Sequence, residues 1–524
     1  MKKQLLAVGL LTFAATLFAQ PWQMVGPRSM GMGGAGVAVA SGAEAQYWNP
    51  AGLVALDEQE KDFIFGLGLQ METTKNVMDS LDGLKDMSDQ YKSLSNKIKN
   101  GNQPTAKDLS TLFEGLGDIA RLTKYGSGVL FGSDDGLGFK IKNFGVSLRT
   151  LGAMGVTPVV DQVNVGFSTQ GGGAGLNLSG STSAPADPTE KQAADMIAQV
   201  INDTGTFDAL KTLLGGSYSN ATELANKLVN TASAAGSTPS QILEAAQKAA
   251  DYFPSAADLV KTAGASGGGA GYEHNTSRVM ADVAAFSEAA LGYGHEIISG
   301  VQVGANLKVI EGTLAQTGIL VLKDDKDIKD IAKDAWDNKR NTTQLGIDLG
   351  ARLNFARFFD REIWGKPVVG ITARNVNSPK FKRPNMPADM NPAFADSWNT
   401  SDYKLKPQVR AGGALELFER LTLAADVDVT ENETSVKGYK SRQVALGGEI
   451  DLSKGKSFGV PLRAGINKNL AESDSEVYYT AGIGLRIVHF WLELAGAVSP
   501  KHVKVDGKRV PASAAGSLQL GLSF

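Results

Sequence analysis

From Leu421 the chain alternates between two faces, with Leu421, Leu423, Ala425, Val427 and Val429 on one and Arg420, Thr422, Asp426, Asp428 and Thr430 on the other. Period two sends successive side chains to opposite faces of a β-strand. The pattern recurs in Val444, Leu446, Ile450 and Leu452 against Gln443, Glu449 and Asp451, and in Leu345, Ile347, Leu349, Ala351 and Leu353 against Gln344, Asp348, Arg352 and Asn354. A soluble sandwich also alternates, but it pairs its apolar faces into one core. Long segments repeatedly carrying Arg and Asp on the second face better suit strands that turn apolar residues to lipid and polar residues to a lumen.

Such segments fall near 61–71, 137–142, 144–151, 278–296, 300–313, 342–355, 366–375, 407–417, 420–430, 442–452, 460–469, 476–487, 490–498 and 513–524. This predicts an all-β transmembrane barrel of about 14 antiparallel strands. An even number returns both ends to one side, so short and long connections should alternate. They do, with the long inserts after odd strands and turns such as 297–299 and 418–419 after even ones. The last strand sets Leu518, Leu520, Leu522 and Phe524 against Ser517, Gln519, Gly521 and Ser523, which suits a membrane-closing strand with an aromatic rim.

Two connections read as helical. In the first, 72–125, Val77, Leu84, Tyr91 and Ile98 recur with Met87 and Leu94 between them; after Pro104 comes a second stripe of Leu109, Leu112, Leu116 and Ile119. The second, 180–263, repeats helix-start signatures at Asp187-Pro188-Glu190, Asn220-Glu223, Thr238-Pro239-Gln241 and Ser255-Asp258. By parity both inserts should lie on the extracellular side, either as a cap over the barrel mouth or as surface decoration. Gly264 to Gly271 reads as a flexible joint, and 324–338 as a short charged helix with Ile328, Ile331 and Ala335 on one face.

Lys2 and Lys3 precede an apolar run from Leu5 to Phe18 and a small Ala19, the layout of a secretory signal peptide over 1–19. That run is shorter than the roughly 20 residues of a spanning helix. No later stretch approaches such a length, so only strands can cross a membrane. Lys plus Arg number 52 against 55 acids, for a net charge of -3, and this leaves no basic field for direct nucleic-acid binding. With no Cys, thiolate catalysis, disulfides and Cys-based metal sites are excluded.

Gly31, Gly33 and Gly36 spell GxGxxG, but no strand precedes them and no βαβ unit surrounds them, so dinucleotide binding is rejected in favour of tight packing inside a lumen. The histidines His274, His295, His489 and His502 have no metal-ligand spacing. Asp134-Asp135 resembles a calcium loop only faintly. The expectation is a protein that is not an enzyme and has neither cofactor nor metal.

The segment Gly26 to Leu56, GPRSMGMGGAGVAVASGAEAQYWNPAGLVAL, resembles the N-terminal hatch of FadL-type outer-membrane proteins, and is closer still to the exported family labelled conjugal-transfer TraF-like proteins. The resemblance implies a hatch, residues 20–60, plugging the lumen of a barrel that spans 61–524, with Gly31, Gly33, Gly34, Asn49, Pro50 and Ala51 as hatch or gating residues. Asn-Pro favours a turn, so Asn49 to Ala51 either ties the plug to the wall or simply terminates it. FadL relatives pass long-chain fatty acids or hydrocarbons, which implies a porin-like channel for passive uptake of hydrophobic small molecules across the bacterial outer membrane. The TraF-like resemblance implies instead an outer-membrane anchor or docking component of a conjugation, secretion or surface apparatus. Expected partners are outer-membrane lipid, the barrel-assembly machinery, a hydrophobic small-molecule ligand and a protein at the helical extracellular inserts.

Overall fold

The structure, a computed structural model, describes residues 22–524 apart from 56–60, 76, 78–96, 98–99, 101, 125, 165–177, 267–273, 321–327, 389, 454–457 and 506–507. The signal-peptide reading, the stripe from Leu84 to Ile98 and most of the glycine-rich joint therefore lie outside the described residues.

The alternating segments form strands Lys61–Thr74 (β1), Gly128–Ile141 (β2), Phe144–Val159 (β3), Arg278–Ile298 (β4), Val301–Leu320 (β5), Arg340–Asn354 (β6) and Val368–Arg374 (β7). The second half adds Gln408–Leu417 (β8), Leu421–Asp428 (β9), Gln443–Asp451 (β10), Pro461–Asn469 (β11), Val477–Ile487 (β12), Phe490–Val498 (β13) and Ser513–Ser523 (β14). Each pairs antiparallel with the next, and β14 returns to β1 with Leu518 opposite Leu67. Phe458–Gly459 merely continues β11 along β12 in the same register, so the closed ring has fourteen strands. Closure leaves no strand edge unpaired, the condition for sheet in hydrocarbon.

The pleat sorts the wall as the period requires. On β1, Phe63, Phe65, Leu67 and Leu69 are exposed, whereas Ile64 between them is buried. Across β7, Val369 and Ile371 face out while Thr372 and Arg374 face in. An apolar outer belt around a polar lumen makes this an outer-membrane-type barrel. The long connections follow odd strands, and one end carries short turns such as 142–143, 299–300 and 488–489.

Two sequence expectations need correction. Strand β2 starts at Gly128 rather than 137, because Gly132, Ser133, Asp134 and Gly136 interrupt the apolar alternation over its first half. Asp134 and Asp135 consequently sit in mid-strand, and Asp134 lies 3.9 Å from Arg149. Ser255 starts no helix, since one helix runs from Pro239 to Ala265 through Pro254. Proline there removes one backbone bond, and burial of Phe253, Ala256 and Val260 on neighbouring helices outweighs that loss.

Among the described residues the α-helices are, in chain order, Pro27–Gly31 (α1), Ala45–Trp48 (α2), Ala106–Leu122 (α3), Pro188–Thr204 (α4), Phe207–Leu214 (α5), Ala221–Ala234 (α6), Pro239–Ala265 (α7), Ile328–Asp337 (α8) and Phe355–Phe358 (α9). Asp187, Asn220 and Thr238 cap α4, α6 and α7 as expected, and Thr105 with Asp108 forms a capping box at α3. The layer α3–α7 does not cover the mouth. Its Leu116, Leu224 and Phe253 share one apolar cluster with Phe131, Met154 and Val279. Phe131 is the cross-strand partner of Met71 and Met154, on the same face as Leu67, so the helices pack on the outside of the wall. The upper strands stay apolar outside as well as inside, and only helices standing beside the wall bury that outer face. Loops turn into the mouth instead, with Phe381 and Leu405 against Phe286 and Ile310, and Val436 against Leu130.

Candidate functional site

The N-terminal segment, residues 22–54, lies within the lumen and bonds to the inner wall on several sides. Its first half approaches β9 to β13. Arg28 grips Glu449 in a fork of 3.1 and 2.8 Å, Arg463 bonds the same carboxylate at 2.5 Å, and the other side of Arg463 bonds Glu493 at 2.5 Å. Arg28 is held above the usual arginine value chiefly by Glu449.

Gly31, Gly33 and Gly34 make the close approach. Thr480 Oγ1 donates to Gly31 O at 3.0 Å, Gly33 N donates to Thr480 Oγ1 at 3.0 Å, and Asn467 Nδ2 donates to Gly33 O at 2.8 Å. Gly33 has φ +72°, and a Cβ there would stand 2.3 Å from Ile466 O, so both conformation and space demand glycine. Gly34, at φ +94°, follows in the same tight turn. The amides of Gly36 and Val37 then donate to Asp426 Oδ2 at 2.8 and 2.9 Å.

The second half of the segment approaches β3 to β7. Asn49 is fully buried; its Oδ1 accepts from Ala51 N at 3.1 Å, capping the short turn Pro50–Leu53, while its Nδ2 donates to Val37 O at 3.2 Å and to Ala351 O of β6 at 3.1 Å. Asn49 therefore ties two parts of the segment to the wall. Pro50 and Ala51 press on Gly304, where any side chain would collide with them. Asn306 donates to Gln46 O at 2.7 Å, and Arg352 donates to Ala38 O and Ala40 O at 2.7 and 3.0 Å.

Between these halves the segment carries an aromatic cluster, Trp22, Tyr47 and Trp48, with ring centres 5.3 to 6.2 Å apart. Three wall arginines face it: Arg374 over Tyr47 at 4.2 Å, Arg149 over Tyr47 at 5.3 Å, and Arg410 over Trp22 at 5.2 Å. Carboxylates hold these arginines in turn, with Arg374 3.5 Å from Glu288 and Arg410 2.9 Å from Asp428. No local motif in the sequence singles out these arginines. The available signal was that each sits on the polar face of its strand, opposite an N-terminal segment rich in aromatic residues.

Glu44 has a different setting. Burial, and then repulsion from Glu493, push its carboxyl up to about 7, against the pull of Gln519, Arg28 and Arg463. Above the segment the mouth holds a partly open chamber of about 890 Å³, lined by Met280, Asp282, Gln316, Trp398, Gln408 and Tyr439 among others.

Residues 46–428 match the family described as F plasmid transfer operon, TraF, protein. The chain belongs to this family. The family match takes in Asn49, Pro50 and Ala51 and strands β1 to β9, but begins after Gly31, Gly33 and Gly34. Among curated proteins none matches. Solved structures similar to this family member include the toluene transporter TbuX of Ralstonia pickettii, at 10% identity over 95% of this chain and 98% of that one, with a TM-score of 0.40. The toluene transporter TodX of Pseudomonas putida gives 10% identity, 97% and 98% coverage, and a TM-score of 0.38. A FadL homologue of Pseudomonas aeruginosa gives 8% identity, 97% and 99% coverage, and 0.39.

The terminal strand places Leu518, Leu520 and Leu522 on the outer face, paired with Leu67, Phe65 and Phe63. Phe524 stacks on His489 at 5.0 Å beside the short turn 488–489.

Proposed function

We propose that this protein is an outer-membrane channel for passive uptake of hydrophobic small molecules, with residues 22–54 as its gate. One observation carries the reading: the N-terminal segment occupies the lumen beneath a chamber at the mouth, held there by hydrogen bonds, ion pairs and arginine–aromatic contacts that can be exchanged without breaking the barrel. The cysteine-free chain permits a clean test. Ala35 and Ala424 lie in one buried cluster between plug and wall, so Ala35→Cys with Ala424→Cys should lock the gate when oxidised. Uptake of a radiolabelled long-chain fatty acid into proteoliposomes should stop on oxidation and return on reduction; undiminished uptake in the locked form would rule out gating by this segment.

A second reading, a docking component of a conjugation, secretion or surface apparatus, is supported by the family match and by helices that stand outside the wall. Charge reversal on the exposed side of α4, at Lys191 and Asp195, should then release a co-purifying protein while leaving the barrel folded. Retention of that protein would count against docking through α4.

A further inference from the structure

Between the lipid-facing belt and the helix layer, the outer wall carries a polar row. Asp135, Thr150, Ser287, Glu311 and Thr343 are direct cross-strand partners on β2 to β6. Asp135 also pairs with the outward Leu67, so the whole row faces out. One step toward the short turns, the same face carries Leu137, Leu148, Ala289, Val309 and Leu345. Two steps the other way it carries Phe131, Met154, Val283 and Ala315, the first three in or against the cluster beneath the helices.

A cleft of about 550 Å³ opens along this row, with Phe65, Leu148 and Val309 on one side and the polar groups on the other. Thr150 Oγ1 and Ser287 Oγ lie 3.4 Å apart near its centre. Glu311 accepts from Asn341 Nδ2 at 3.0 Å, and among the described residues neither Asp135 nor Glu311 forms an ion pair. The two carboxylates stand three strand spacings apart, about 14 Å.

The cleft continues the surface that faces lipid, so its natural occupant is a membrane lipid. The charge pattern selects the headgroup: anionic ends want a cation, and the hydroxyls between them can donate to phosphate oxygens. We propose that this cleft binds a membrane lipid with a phosphoethanolamine-type headgroup, its ammonium on Asp135 or Glu311, its phosphate on Thr150 and Ser287, and its acyl chain over Leu137, Leu148 and Val309. The inference is independent of what passes through the lumen.

The test is native mass spectrometry of the full-length protein in detergent, challenged with equimolar phosphatidylethanolamine, phosphatidylcholine and phosphatidylglycerol of identical acyl chains. The ethanolamine lipid should be retained with about a fivefold preference over the glycerol lipid, the scale of an exposed ion pair near its upper limit. The choline lipid, without N–H donors, should fall between them. In the Asp135→Asn, Glu311→Gln variant, with folding checked by heat-modifiable gel migration, the preference should vanish. Equal or better retention of phosphatidylglycerol by the unaltered protein would overturn the proposal whether or not the variant folds, and so would an unchanged preference in the folded variant.

Discussion

The guanidinium of Arg374 on β7 lies 4.2 Å from the centre of the Tyr47 ring on α2, joining the barrel wall to the segment inside it. The same arginine lies 3.5 Å from Glu288, so its charge is balanced while its face serves the aromatic ring. Tyr47 OH donates to Gln23 O at 3.1 Å, which binds the aromatic cluster to the start of the segment.

Tyr47→Leu should therefore loosen the plug. A desolvated cation–π contact is worth about 2 kcal/mol and a buried hydrogen bond about 1 kcal/mol, so the unseated fraction should rise on the order of 100-fold. Ion conductance in planar bilayers reads this directly, and an unchanged leak would mean that the aromatic cluster does not hold the plug.

Glu44 gives plug seating a pH dependence. Seated, it keeps its proton to about pH 7; released to solvent, it returns to the ordinary 4.5. Below 4.5 both states are protonated and the group contributes nothing. Between 4.5 and 7 the seated state binds more protons, so seating weakens as pH rises and the loss is complete above about 7. Arg28, Arg463 and Glu449 face this corner from plug and wall, with Glu493, Gln519 and Asp62 beside it. Conductance should grow through this window and flatten in Glu44→Gln; a variant that keeps the full dependence would assign it to another group.

Gly33→Ala should unseat the glycine turn. A non-glycine residue at this positive φ costs roughly 1–2 kcal/mol, and the collision with Ile466 O adds to that. The expected outcome is faster proteolytic cleavage within residues 22–54, with the barrel still heat-modifiable on gels. Cleavage at the unaltered rate would contradict the tight fit.

Asn49→Ala removes a buried cap and the bond to Ala351 O. Loss of the cap costs about 1 kcal/mol, and the unsatisfied carbonyl at the wall adds about 1–3 kcal/mol. Folding should survive while fatty-acid uptake or resting conductance changes. If both stay as before in a folded protein, Asn49 merely ends the segment.

Phe131→Asp tests the placement of the helices. A charge on the outer wall beneath α3–α7 should detach the helix layer, so that protease cuts within 106–122 and 188–265 while the barrel stays closed. Protection equal to that of the unaltered protein would put the helices elsewhere.

Period-two alternation by itself determined the barrel, because lipid on one side and a wet lumen on the other impose opposite demands on alternate residues, as Leu421–Asp428 illustrates. Parity of connection lengths followed from closure, and caps such as Asp187 and Asn220 were legible because capping is local. Gly132 to Gly136 hid the first half of β2, since glycine and aspartate in a strand take their meaning from what approaches them. Only the tertiary structure decided that the helices stand beside the wall: Phe131 and Met154 lie outside the alternating segments, and nothing local pairs them or Val279 with the helices that cover them. It alone also brought Arg149, Arg374 and Arg410, from three separate strands, onto Trp22 and Tyr47. Contacts across a lumen join residues hundreds of positions apart, and no local periodicity carries that pairing.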